Sequence, residues 1–257
     1  MASFDLHSRT RAALIHFSGS AAVAALAAAL VFLLWFPNPY EAMAGGLGLF
    51  VLIISVDIVM GPLITFAVFN RRKPVTELRR DLAIVVLMQL AALAYGLHTM
   101  YLARPVALAL EEDRFRVVPA VDVVHEELPL APAPLQSLSL TGPRLLRTTM
   151  PTDPAAKFEA LKRAITGNDL GTRPKYWQPW DDIARQEVRT NAKPLAQVPE
   201  QGPQYHSQAV LAAAVAKTGA PAAQVRFLPL LSRYVAGVVL VDAQTGNVLG
   251  FAIFGPA

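Results

Sequence analysis

The chain contains no cysteine in its 257 residues. That excludes disulfides, thiolate metal sites and cysteine nucleophiles. Charge is scarce too. Asp, Glu, Lys and Arg make up 16% of the residues, where a soluble domain carries about 25%. Set beside 54% hydrophobic residues, this excludes a disordered or fully water-solvated chain. Catalytic signatures of fixed spacing are missing: there is no phosphate-binding loop, no GxGxxG and no HExxH. His125 and His206 lack the Ser and Asp context of a triad. No internal repeat is evident.

The apolar residues gather in three runs, at about 12–36, 44–69 and 82–103. Each exceeds the roughly 20 residues needed to cross a bilayer core. The first is broken only by His16 and small hydroxyl residues, the second by Asp57, the third by Gln89, Tyr95 and His98. Ala42-Met43-Ala44 resembles a signal-peptide cleavage site, but the first run is longer than the roughly 7–15 residues of a signal core. Residues 1–103 therefore read as a transmembrane domain and 104–257 as a second domain.

The net charge is +4. The basic residues do not share an amphipathic face, so no nucleic-acid partner is expected. They read as a topology signal instead. Arg9 and Arg11 precede the first run, and Arg71, Arg72, Lys73, Arg79 and Arg80 lie between the second and third. Residues 37–45, between the first two, hold no Lys or Arg. The positive-inside rule puts the N-terminus in the cytoplasm and residues 104–257 in the periplasm of a bacterium, with the inner-membrane bilayer between. Trp35, Phe36, Tyr40 and Tyr101 are expected in an aromatic belt at the periplasmic interface.

The second domain reads as α+β. Residues 105–110 and 115–124 suit strands on either side of Glu111-Glu112-Asp113, and residues 138–146 suit a strand broken at Gly142-Pro143. Pro129, Pro132 and Pro134 make 125–136 a loop. Thr152 or Asp153 caps a helix that begins at Pro154, carries Phe158, Leu161 and Ile165 on one face and ends near Gly167. Further helices are expected at 181–190 and 207–217, the latter stopped by Gly219. Strands at 225–231, 234–241 and 248–254, with a turn at 242–247, complete a small antiparallel sheet.

Asp57 is the strongest oddity, because a carboxylate at mid-membrane costs roughly 2.5–3.5 kcal/mol. Gly61-Pro62 follows and leaves the Ile58 carbonyl without its helical donor. Asp57 lies roughly 18 Å from Phe69 and Tyr95 roughly 20 Å from Leu82, at 1.5 Å per residue. An Asp57–Tyr95 contact is expected on that count, with Gln89 at the level of Thr65. Asp57 is either a partner-binding or proton site, or a neutral residue that ties the helices together. His16 and His98 differ in depth, so a shared metal ion is not expected. Gly19 and seven alanines between 21 and 29 allow close helix approach, among these spans or to another protein's helix. Trp177 and Trp180 form either a binding edge or a packed loop with Asp181 as a helix cap. Nothing organises Asp181, Asp182 and Glu187 towards a substrate.

These residues together resemble the TfpX/TfpZ family of type IV pilin accessory proteins. The resemblance rests on Asp57-Ile58-Val59-Met60-Gly61-Pro62-Leu63, on Asp81-Leu82 and on Gln89-Leu90-Ala91-Ala92-Leu93-Ala94-Tyr95-Gly96. Arg104-Pro105, Asp113-Arg114-Phe115, Leu228-Pro229-Leu230 and residues 242–250 continue it. It implies a multi-pass inner-membrane protein without enzymatic activity or cofactor. Such a protein assists a type IV pilin subunit, alone or with other pilus assembly proteins. The competing expectations are a pilin-modifying transferase and a sensor or transport subunit. The partner-binding candidates are Asp57, Gly61, Pro62, Gln89, Tyr95, Trp177 and Trp180.

Overall fold

Leu6–Trp35, Gly46–Val68 and Val75–Ala103 form three helices of 30, 23 and 29 residues, each long and apolar enough to cross a membrane. They belong to a computed structural model that describes residues 6–70, 73–165, 169–199 and 207–256. The first and third helices begin before the apolar runs do. Their opening turns are polar, so hydropathy marks the apolar stretch and not the helix start. Arg71, Arg72, Gly167 and His206 lie outside the described residues.

The chain divides into two compact units. The first holds the three helices up to Leu102, without residues 36–45. Leucines and methionines such as Leu26, Leu33, Leu52 and Met88 are exposed on its outer faces. Inside, Phe32 meets Phe50 edge-on with centroids 5.0 Å apart, and Trp35 meets Tyr101 likewise at 5.6 Å. A Cβ on Gly96 would lie 2.4 Å from Ile53 Cγ2, so only glycine lets the second and third helices meet there. At their ends, Arg9 Nη1 donates to the carbonyls of Phe66 at 3.2 Å and Ala67 at 3.0 Å. A cation there complements the negative end of the second helix. Lys73 pairs with Asp81 at 2.7 Å.

The second unit contains Phe36–Gly45 as well as the chain from Ala103 on. Its sheet is larger and more mixed than expected. Eight strands are ordered β4-β3-β1-β2-β6-β7-β8, with β5 paired to β6. They are β1 Pro105–Glu111, β2 Arg114–Pro119, β3 Arg144–Thr148, β4 Trp177–Pro179, β5 Lys193–Pro194, β6 Val225–Leu231, β7 Val235–Asp242 and β8 Val248–Pro256. The β1–β2, β6–β7 and β7–β8 hairpins are antiparallel, but β1–β3 and β2–β6 are parallel. Those parallel pairs join distant segments, which local patterning does not reveal. Residues 120–124, expected to extend β2, turn away as a short 3₁₀ segment, and β3 begins only after the Gly142-Pro143 break.

Both sheet faces are covered, which is why β1 reads as a continuous apolar run and is buried throughout. Leu108, Leu110, Phe115, Leu228, Val239 and Val241 pack on one face with Met43 and with Val188 of helix Asp182–Asn191. On the other, Val225, Phe227, Leu240 and Phe254 pack with Val215 of helix Ser207–Lys217. Tyr40 joins the first face, its ring 5.6 Å from Phe251. Phe36 is fully buried. The expected aromatic belt is therefore corrected for Tyr40, which packs against the second unit's core, and for Phe36, which protein covers completely. Asp153 caps helix Pro154–Ile165 through Ala156 N–H at 2.8 Å, and Asp181 caps the next helix through Ala184 N–H at 2.9 Å. Phe158 is exposed; the Leu161 and Ile165 side chains lie outside the described set.

Candidate functional site

The second helix changes register where Pro62 approaches. Val56–Met60 form a π turn, whose carbonyls look five residues ahead for their donors. In that pattern the carbonyl left unserved by Pro62 belongs to Asp57, not to Ile58 as a regular α-helix would have it. Gln89 Nε2 supplies the missing donor, 3.1 Å from the Asp57 carbonyl. The helix thus continues through Pro62 instead of breaking.

Gln89 is the middle of a longer chain of hydrogen bonds. Its Oε1 lies 2.6 Å from His16 Nε2, and His16 Nδ1 lies 2.5 Å from Thr65 Oγ1. With a neutral ring, Nε2–H donates to Gln89 and the Thr65 hydroxyl donates to Nδ1. All three long helices contribute, so the network locks their relative rotation. Gly61 makes room for it: a Cβ there would lie 2.1 Å from Gln89 Nε2.

Asp57 is only 8% exposed. Its Oδ1 is buried without a hydrogen-bond partner. Beside it opens a cavity of about 520 Å³, lined by the His16, Asp57, Thr65 and Gln89 side chains and by small residues that include Gly19 and Ala24. Apart from Ser20, the rest of the wall is apolar. Such a pocket, with few converging polar groups, takes an apolar body that carries one polar group.

A model of the fimbrial assembly protein FimB family matches residues 4–45. The serogroup I fimbrial assembly protein of Dichelobacter nodosus is 37% identical over 183 residues, covering 71% of each chain. The serogroup E1 protein of the same organism is 36% identical over the same shares. The protein of serogroups C1 and C2 is 43% identical over 117 residues, 46% of this chain and 89% of that relative. The chain belongs to the fimbrial assembly protein family. No solved structure matches it.

In this family member, the expected Asp57–Tyr95 contact does not form. Tyr95 is 76% exposed. Depth along a helix fixes level but not direction, and Tyr95 stands about 120° around the axis from Gln89. Leu93, Gly96 and Met100 form the buried face of that helix instead. His16 was not expected to pair with polar neighbours. Counted from the ends of the apolar runs, His16 and Thr65 each lie about 6 Å in and Gln89 about 10 Å. The same arithmetic applied to His16 would have joined it to them.

Trp177 is 2% exposed and donates its indole N–H to the Gly171 carbonyl at 2.8 Å. It is a core residue, not part of a surface edge. Trp180 is half-buried against Phe115, with ring centroids 6.0 Å apart. Asp181 also faces Arg147 at 3.3 Å. The Ala184 N–H, and then Arg147, hold its carboxyl below the ordinary Asp range.

Two charge clusters stiffen the second unit and went unread in the sequence, because their partners are far apart in the chain. Glu111, buried, accepts from Arg116 Nε at 3.0 Å and from Gly171 N–H at 2.7 Å, and Arg116 also pairs with Asp169. Glu127 pairs with Arg173 and, at 3.4 Å, with Lys175. Burial pushes the Glu127 carboxyl up, but the Arg173 hydrogen bonds and both cations outweigh it and hold it below the ordinary range.

Proposed function

We propose that the protein is a non-catalytic accessory protein of type IV pilus biogenesis, as its resemblance to the TfpX/TfpZ proteins implies. It sits in the bacterial inner membrane, N-terminus in the cytoplasm and second unit in the periplasm. There it assists a pilin subunit before or during assembly, alone or with other assembly proteins. The carrying observation is the buried, unpartnered Asp57 carboxyl beside a cavity among three membrane-length helices, in a member of a fimbrial assembly family. A chaperone for a membrane-anchored subunit needs such a receptive surface within the bilayer.

The proposed orientation draws support from Arg9, Arg11, Lys73, Arg79 and Arg80 at one end of the helices. Further support comes from the inclusion of Phe36–Gly45 in the second unit, which needs both segments on one side of any membrane.

The test is a deletion strain. Twitching and surface pili are expected to be lost, while the pilin keeps its normal mass. Normal pili would overturn the proposal. Pilin of altered mass would point to a modifying transferase, and intact pili with a lost response would point to a sensor or transport subunit.

A further inference from the structure

The cavity's chemistry specifies its occupant more narrowly than the accessory reading does, although it rests on that reading. Asp57 lies midway along Gly46–Val68, about 16 Å from either end at 1.5 Å per residue. Its Oδ1 has no partner. Both ring nitrogens of His16 and the amide oxygen and nitrogen of Gln89 are committed, and the Ser20 hydroxyl, also in the wall, is not bonded to Asp57 Oδ1. What Asp57 Oδ1 lacks is therefore a hydrogen-bond donor at mid-bilayer depth. Lipid headgroups do not reach there, so the donor must ride on a membrane-spanning segment.

Space at the site fits a helix. Gly19 lines the cavity, and a Cβ built on it meets nothing within 4 Å. The first helix thus offers bare backbone to a close neighbour, as helices packing in lipid require. A volume of about 520 Å³ holds a few side chains from one helix face. We infer that the cavity receives one face of the pilin's membrane helix, and that a hydrogen-bond donor on that face pairs with the Asp57 carboxyl.

Site-specific photocrosslinking of the full-length protein, co-expressed with its pilin, tests this. A benzophenone side chain replaces Leu90, which lines the cavity and is 52% exposed. As a control it replaces Val51, which is 57% exposed and is not a cavity residue. Leu90 is expected to crosslink to the pilin's apolar segment and Val51 is not. Asp57→Leu is expected to cut the Leu90 crosslink about tenfold, the worth of one hydrogen bond. Because Asp57→Leu also changes a buried residue, Gly19→Leu provides a second route. It fills the cavity from a helical position with open space, and is expected to abolish the crosslink while the protein stays folded. A silent Leu90 probe, crosslinks only to lipid or to a second copy, equal yields at both positions, or yields unmoved by either variant would overturn the inference. Lost pili on deletion with a silent Leu90 probe would overturn this contact alone. Normal pili on deletion would overturn it together with the accessory reading.

Discussion

Gln89 and Asp57 meet through a side-chain amide and a backbone carbonyl, 3.1 Å apart, where a π turn and Pro62 leave that carbonyl without its own helix's donor. Two helices are thereby joined at a point that each would otherwise leave unsatisfied. Gly61 holds the gap open.

Gly61→Ala is expected to push Gln89 away and break this contact, because the new Cβ would lie 2.1 Å from Nε2. The loss should be about 1–2 kcal/mol despite alanine's better helix propensity. Detergent-titrated unfolding measures it. A variant as stable as the parent would show that Gln89 relaxes without loss.

His16→Leu is expected to leave Thr65 Oγ1 and Gln89 Oε1 without their partner, at about 1–2 kcal/mol. Thr65→Val should then cost little more in the same background. A double-mutant cycle is expected to give a coupling of about 0.5–1.5 kcal/mol. Strict additivity would mean that the two residues act independently.

Stability of the second unit is expected to fall in alkali through Tyr40. Burial pushes its hydroxyl up to about 12, from an ordinary 10.0. Below pH 10 both folded and unfolded chains hold the proton, and the stabilisation is fully present. Between about pH 10 and 12 the unfolded chain releases it first, so stability drops by about 1.4 kcal/mol per pH unit. Tyr40→Phe should flatten that part of the profile by about one proton. An unchanged slope would place the tyrosinate in water.

Glu111→Gln is expected to destabilise the second unit by about 1–2 kcal/mol, because Arg116 would lose one of its two carboxylates and keep Asp169. Gly171, which donates to Glu111, also accepts from Trp177. Tryptophan fluorescence should therefore report the change during urea unfolding. Substitution at the exposed Asp182 serves as the control and should shift stability by less than about 0.5 kcal/mol.

Much of the architecture was legible because it is local. The Asp153 and Asp181 caps, helix Ser207–Lys217 and the β6–β7–β8 hairpins all follow from signals within a few residues. The parallel β1–β3 and β2–β6 pairs depend on tertiary contact and were not legible, so the sheet was expected to be small and antiparallel. At the candidate site, Asp57, Gly61 and Gln89 stood out as polar or helix-breaking residues in apolar runs. Tyr95 was misassigned as the partner of Asp57 because a one-dimensional depth carries no azimuth. Phe36 and Tyr40 were misplaced because an aromatic at a helix end looks alike whether lipid or protein covers it.

The second unit's composition from two separated stretches sets a timetable for its birth. Met43 emerges long before Leu228 and Val239, the residues that will cover it. Until those strands are made, the first connection waits with its apolar side chains bare. In the proposed topology, a third helix that failed to cross would leave the strands on the wrong side and the connection uncovered. Closure of the sheet over Met43 and Tyr40 is thus expected only in a chain threaded as proposed. A chain threaded otherwise would expose an unfinished core to proteolysis.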